Sequence, residues 1–284
     1  MRILILGHKG MLGSDLMAVL GAGHEVLGRD IEEMDIADET SCLRIISEAA
    51  PDVVVNAAAY TNVNGCEDDW ERCFAVNAIG VKNIARACRK GSLKLIHFSS
   101  DYVFDGSKGA AYVEDDPCRP LNAYGRSKLA GERFLMETAD NFILVRTAWL
   151  YGLRGKNFVA TILEKARTEK TLSVVDDQVG CPTYSRDLAQ AVHLLIEGNH
   201  RGIFHITNRG HCSWYQFALK ILQYAGMGEV AVMPVRSDQT VQVALRPPYS
   251  VLSCRKYLEA TGRTTRFWQI ALLDCLDRMG YRRS

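Results

Sequence analysis

Arg2-Ile3-Leu4-Ile5-Leu6-Gly7-His8-Lys9-Gly10-Met11-Leu12-Gly13 opens the chain and decides its fold. An apolar run too short for a helix leads directly into three glycines, and Leu12 to Leu20 then places apolar residues on one helical face. A strand, a glycine-rich turn and a helix in that order predict the first βα unit of a dinucleotide-binding sheet. The glycines allow a tight turn, let the backbone approach a pyrophosphate and bring the helix close to the strand. The pyrophosphate is then expected at the helix N-terminus, where free N–H groups and the helix dipole favour negative charge. Gly7, Lys9, Gly10, Met11, Leu12 and Gly13 are therefore expected around the cofactor. The spacing is Gly-x-x-Gly-x-x-Gly rather than Gly-x-Gly-x-x-Gly.

Outward from this unit the pattern repeats. Strand-like runs fall at Glu25-Val26-Leu27, Val53-Val54-Val55, Leu93 to Phe98 and Phe142 to Arg146. Helical patterns separate them over Thr40 to Ala50, Trp70 to Arg89 and Ala123 to Thr138. Uninterrupted apolar strands are expected where a parallel sheet is covered on both faces. The alternation predicts a Rossmann-type, doubly wound α/β fold. After Trp149 the regularity weakens, with helices expected near 157–169, 185–197, 213–225 and 266–279 and a strand at Gly202 to Ile206. Residues 1–150 are read as the dinucleotide-binding domain, with 185–208 returning to it. Residues 151–184 and 209–284 are read as mainly a smaller substrate-binding lobe.

Composition narrows the function classes. The 284 residues are 48% apolar, enough for a sizeable core, and 34 Lys and Arg nearly balance 33 Asp and Glu. No bulk field favours nucleic acid or a membrane surface, so neither is expected as a partner. Nine cysteines at irregular spacing, without Cys-x-x-Cys, indicate neither a disulfide framework nor a zinc site. No secretory leader pattern or long apolar span is visible, and a cytoplasmic enzyme is expected.

Asp30 lies twenty residues beyond Gly10, where an acid would bind the adenosine ribose of NAD. Arg29 and Lys9 are cations suited to the 2′-phosphate of NADP. The cues conflict, and NADPH is the favoured reading with NADH retained as an alternative.

Tyr124-Gly125-Arg126-Ser127-Lys128 places a phenol and an ammonium at i and i+4, on one helix face. A cation beside a tyrosine is expected to lower its pKa toward the range of a general acid or base. Upstream, Leu95-Ile96-His97-Phe98 is a strand ending in Ser99-Ser100-Asp101-Tyr102. Ligands of open α/β sheets bind beyond the carboxyl ends of strands, so Ser100 is placed to hydrogen-bond a reacting carbonyl oxygen. His97, inside an apolar strand, reads as a packed core residue.

The glycine loop, Tyr124-x-x-x-Lys128 and the upstream hydroxyl together resemble the extended short-chain dehydrogenase/reductase family. Val54-Val55-Asn56-Ala57-Ala58-Ala59-Tyr60-Thr61, Ser100 to Gly106, Arg146 to Gly152, Asp177-Gln178-x-Gly180-x-Pro182-Thr183, Arg246-Pro247 and Ser250-x-Leu252 extend the resemblance over nearly the whole chain. They are most similar to the branch that reduces nucleotide-activated 4-keto-6-deoxysugars. The resemblance implies NAD(P)H reduction of the C4 keto group of dTDP-4-dehydro-6-deoxy-L-mannose to dTDP-L-rhamnose, with Ser100, Tyr124 and Lys128 as catalytic residues. It implies that Tyr124 and Lys128 also touch the cofactor, that Asp35 and Ile36 contact its adenine, and that Ala57, Ala58, Ala59 and Tyr60 line it. Ser100, Asp101, Tyr102 and Trp149 would face the sugar, and Asn157, Gln178 and Arg246 the nucleotide or diphosphate. A homodimer is a family-level expectation.

Three departures matter. Ser100 stands where the family usually has Thr, which keeps the hydroxyl. Ala148 replaces a more usual Ser. Some relatives hold a metal between subunits through acidic residues, and the resemblance offers Asp15 for one of them, but no ligand set assembles and no catalytic metal is expected. Two other functions stay open. A nucleotide-sugar epimerase would keep NAD tightly bound; a dehydratase is disfavoured because Tyr102, not a second acid, follows Asp101. A non-catalytic regulatory subunit resembling that of methionine adenosyltransferase would need no intact catalytic set.

Overall fold

The computed structural model describes residues 1–239 and 243–281. Six strands form one parallel sheet: β1 (Arg2–Leu6), β2 (Glu25–Arg29), β3 (Val53–Asn56), β4 (Lys94–Ser100), β5 (Phe142–Thr147) and β6 (Gly202–His205). Their spatial order is β6-β5-β4-β3-β1-β2. β1 pairs with β2 on one side and β3 on the other. The winding therefore reverses between β1 and β3, and the crevice beyond their carboxyl ends is where a doubly wound sheet takes its ligand.

Successive side chains of a strand point to opposite faces, and here both faces are covered. Ile3, Ile5, Val53, Val55, Ile96, Phe98, Ile143 and Val145 meet Leu12, Leu16 and Leu20 of α1 (Met11–Leu20) and Leu188, Val192 and Leu195 of the helix Ser185–Glu197. Leu4, Leu6, Val54, Leu95 and Leu144 meet Cys42, Ile45, Ile84, Cys88 and Leu135 on the other side. Each fully buried aliphatic side chain contributes about 1.5–3 kcal/mol. That two-sided burial is why the strands read as unbroken apolar runs. His97 is buried on β4, its Nδ1 3.2 Å from Nδ2 of Asn56, and desolvation keeps its pKa well below the ordinary value. It is a neutral core residue.

The helix expected over Trp70 to Arg89 runs as Trp70–Phe74, a π-helical stretch Ala75–Ile79, and Gly80–Lys90. Beyond β5 the chain builds a second core around Tyr151, Val159, Leu163, Leu172, Tyr184, Phe217, Ile221, Trp268 and Leu272. This core includes a parallel strand pair, Thr171–Val175 with Ala231–Val235. The chain returns to the sheet through Ser185–Glu197, which packs on α1, and through β6. Tyr257, from the helix Arg255–Thr261, joins the sheet core rather than the second one. All nine cysteines are free thiols. No helix among the described residues is long and apolar enough to cross a membrane.

Candidate active site

A cavity of about 310 Å³ occupies the crevice between β1 and β3. Gly7, Gly10, Arg29, Asp30, Asp35, Ile36, Ala57, Ala58, Ala59 and Tyr60 line it. Gly7 has φ +76°, and a Cβ there would lie 2.7 Å from the Ala58 nitrogen. A Cβ on Gly13 would lie 2.0 Å from the Gly7 carbonyl oxygen, so α1 approaches the loop only because position 13 is bare. The crevice thus has the backbone cradle a pyrophosphate requires. Met11, half-buried, and Leu12, buried, begin α1 at its rim.

The conflicting charges around this crevice have distinct partners. Both Asp30 carboxylate oxygens accept backbone N–H groups, from Lys9 and Ile31, each at 2.9 Å. Lys9 donates its ammonium to Glu32 at 3.0 Å on the surface. Arg29 donates only to the neighbouring Gly28 carbonyl, at 2.8 Å, among the bonds described for it. Asp30 therefore staples the glycine loop to the end of β2, and Arg29 is one of two arginines lining the cavity, with Arg72.

Ser100 ends β4, and Tyr124 and Lys128 begin the helix Ala123–Thr138. Asn122 caps that helix by accepting from the Gly125 nitrogen at 2.7 Å, and its Nδ2 donates to the Leu245 carbonyl at 2.6 Å. Lys128 is buried and donates to the Phe98 carbonyl at 2.7 Å, which fixes the helix against β4. Burial pulls its pKa down to about 8. Tyr124 departs from expectation. Burial, and then the Asp101 carboxylate, raise its pKa, which outweighs the hydrogen bond from Ser100. The cation was expected to lower it, but the desolvated phenol stays protonated. Asp101 is itself buried and accepts from Ser100 at 3.0 Å and Ser250 at 2.6 Å, with burial raising its pKa to about 7.

Tyr124 lines neither of the two cavities, and neither do Ser100 and Lys128, but it packs beside a residue of each. Tyr60, which lines the first, packs with Tyr124 against Cys66, Cys73 and Ala123. On the other side Tyr102 meets the Tyr124 ring edge-on, with centroids 5.8 Å apart. Tyr102 lines a second cavity of about 870 Å³ together with Asn157, Gln178 and Arg246. Asn157 has its amide committed within the fold: it accepts from the Ala160 nitrogen and donates to the Gly152 and Gly155 carbonyls. Arg246 donates to Asn64 and to the Ala244 carbonyl, each at 3.1 Å.

Trp149 does not line the cavity itself. Its backbone is left-handed, at φ +47°, and its ring stacks on Trp214 at 3.4 Å between centroids. Trp214 is the ring that lines the cavity. Asp15 accepts from the Ser185 hydroxyl at 2.5 Å inside the fold.

Sequence reasoning missed several wall residues. Arg72 and Val76 line the first cavity, with the Arg72 guanidinium 5.6 Å from the Tyr60 ring centre. Arg72 reads in sequence as an ordinary solvated helix charge. Lys156, Lys165 and Trp214 line the second. Asn77, in the π-helical stretch, brackets Tyr60 by accepting from its nitrogen and donating to its carbonyl, both at 2.9 Å. An asparagine inside an apolar helical run was the available signal.

Comparison with known proteins sets this geometry in a family. The family model described as RmlD substrate binding domain matches residues 1–281. The chain is 40% identical over 277 residues to the spore coat polysaccharide biosynthesis protein SpsK of Bacillus subtilis (strain 168), covering 97% of each. It superposes on a crystal structure of a dTDP-4-dehydrorhamnose reductase, an RfbD ortholog from Clostridium acetobutylicum, with a TM-score of 0.95 and 39% identity, covering 99% of this chain and 100% of that one. The dTDP-4-dehydrorhamnose reductase of Bacillus anthracis in complex with NADP gives a TM-score of 0.94 at 35% identity, covering 98% of this chain and 99% of that one. With a glycine-walled crevice at the β1/β3 reversal and a match running through almost its whole length, the chain belongs to the RmlD substrate binding domain family of the extended short-chain dehydrogenase/reductases.

Proposed function

We propose that this chain is an NADPH-dependent reductase that converts dTDP-4-dehydro-6-deoxy-L-mannose, also called dTDP-4-dehydrorhamnose, to dTDP-L-rhamnose. The observation that carries this reading is the packing of Tyr124 beside a residue of a glycine-walled crevice and a residue of a larger cavity with cationic walls, with Ser100 and Lys128 close to it. The two structural neighbours described above bear that reductase's name, and one of them holds NADP.

NADPH, held in the crevice lined by Gly7, Gly10 and Arg29, would supply the hydride that reduces C4 of the sugar. The remaining steps belong to the chain. Tyr124, held protonated by burial and by Asp101, donates its proton to the former carbonyl oxygen. The Ser100 hydroxyl, which otherwise donates to Asp101, turns its hydrogen to the same oxygen as charge develops on it. The Lys128 ammonium, anchored on the Phe98 carbonyl one helical turn from Tyr124, favours the phenolate left behind until solvent returns the proton. Arg246, Lys156 and Lys165 give the larger cavity the positive walls that suit a nucleoside diphosphate, and Trp214 adds a flat apolar surface. Arg29 would receive the 2′-phosphate that distinguishes NADPH.

The test is NADPH oxidation, followed by its near-ultraviolet absorbance, with dTDP-4-dehydrorhamnose as substrate. Wild type should turn over, and Tyr124→Phe should lose about 10²–10⁴-fold in kcat while cofactor titration stays unchanged. An inert wild type that still binds NADPH would overturn the substrate. A fully active Tyr124→Phe would overturn the proton donor.

A further inference from the structure

We propose that His24, His193 and Glu197 form a binding site for a divalent transition-metal cation of the zinc type, remote from the catalytic centre. His24 precedes β2, at the edge of the sheet opposite the strand carboxyl ends where the cofactor crevice lies. His193 and Glu197 lie four residues apart on the helix Ser185–Glu197, so their side chains rise from one face. One donor atom from each of the three falls within 4.8 Å of the others.

Two details distinguish this cluster from an ordinary surface ion pair. The His24 side chain is only 8% exposed, and its Nε2 lies 3.1 Å from Oε1 of Glu197 without an aligned hydrogen bond. Nδ1 of His193 is buried and likewise has no hydrogen-bond partner. Burying an imidazole nitrogen unpaired is unfavourable, and a simple His24–Glu197 pair would leave the His193 nitrogen unsatisfied. The two rings are tilted by 55° with centroids 5.4 Å apart, so they converge rather than stack. A cation between them satisfies both nitrogens and the carboxylate together.

The donor set selects the ion. Two imidazoles and one carboxylate suit Zn²⁺ and its transition-metal neighbours, while Ca²⁺ and Mg²⁺ prefer all-oxygen shells. Tetrahedral bonds of about 2.0–2.2 Å require donors about 3.3–3.6 Å apart. Glu197, half-exposed, and His193, intermediate in burial, can close that gap by side-chain rotation. Water would complete the shell. Such an ion would tie the α1–β2 loop to the helix that carries the chain back to the sheet.

The experiment uses the full chain, stripped with a chelator, and Zn²⁺ alone as the probe. Calorimetric titration should show one Zn²⁺ per chain with Kd below about 10 µM, and thermal unfolding should shift upward as Zn²⁺ is added. Co²⁺ substitution should give tetrahedral visible absorption without a thiolate charge-transfer band, which separates this site from the nine thiols. His193→Ala and Glu197→Gln, both at the surface, should weaken binding about 10–100-fold or more while reductase kcat stays unchanged. Absence of binding in that range, a thiolate band, or affinity that survives both substitutions would overturn the site.

Discussion

Burial acts in opposite chemical senses on two members of the catalytic helix: it holds the proton on Tyr124 and loosens the one on Lys128. The Lys128 pKa is lowered to about 8, so its ammonium is present below that pH and lost above it. The expected result is that kcat/KM declines as pH rises through about 8, and that the decline disappears in the residual activity of Lys128→Met, read from paired pH profiles. Asp101 makes the complementary prediction for stability. Its folded pKa, about 7, stands above the ordinary 3.8, so its contribution is complete below about pH 4 and lost as pH rises through 7. Asp101→Asn should therefore lose less Tm than wild type between pH 5 and pH 8, measured by calorimetry across that range. Arg29→Ala should weaken NADPH by about 10–100-fold and NADH hardly at all; equal losses in fluorescence titrations would remove Arg29 from the phosphate site. Spacing behind a glycine loop proposed Ser100, Tyr124 and Lys128 as a set, because i and i+4 share a helix face and strand ends share a sheet edge. The direction of the Tyr124 shift was not legible, since desolvation is set by tertiary neighbours.

The helix Ala123–Thr138 owes its start to one side chain with two duties. Asn122 caps the first turn and also holds Leu245 of the 243–250 segment, whose Arg246 lines the larger cavity. Asn122→Ala should cost about 0.5–2 kcal/mol of stability, measured by denaturant unfolding, and should raise KM for the sugar nucleotide more than it lowers kcat. Elements buried on both faces were readable from apolar runs, as β1, β3 and β4 show. The strand pair Thr171–Val175 and Ala231–Val235 was not, because Thr171, Ser173, Ala231, Met233 and Pro234 are exposed and leave no continuous apolar signal. The helix Arg255–Thr261 buries only Tyr257, too little for a periodicity to appear. The π-helical stretch Ala75–Ile79 keeps the composition of the helices around it, so nothing in sequence separates it from them. Trp149 and Trp214 announce themselves as aromatics, but their face-to-face pairing, with only Trp214 on the cavity wall, belongs to the tertiary structure.

Across the whole molecule, Arg266 joins the two cores. It forms a bidentate pair with Asp187 on the helix Ser185–Glu197, at 2.7 and 2.8 Å, and reaches Asp274 on the helix Trp268–Arg278 at 2.5 Å. Asp187 is buried, so Arg266→Met would strand its charge inside the protein. The expected cost is on the order of 2 kcal/mol, visible as a lower unfolding midpoint, together with a higher KM if the second cavity moves relative to Tyr124. The loss of strand–helix alternation after Trp149 suggested a division of the chain; the Arg266 bridge left no such signal, because its partners are distant in sequence. The position of β6 has a consequence in time. It pairs with β5 but follows it by about 55 residues, all of which must be synthesised first. At about 5–20 residues per second, β5 spends roughly 3–11 s on the ribosome as an open edge while the intervening segment emerges. A nascent chain stalled in that interval would present a β-strand template to its neighbours on the polysome, so crowded translating ribosomes are a condition that exposes this edge.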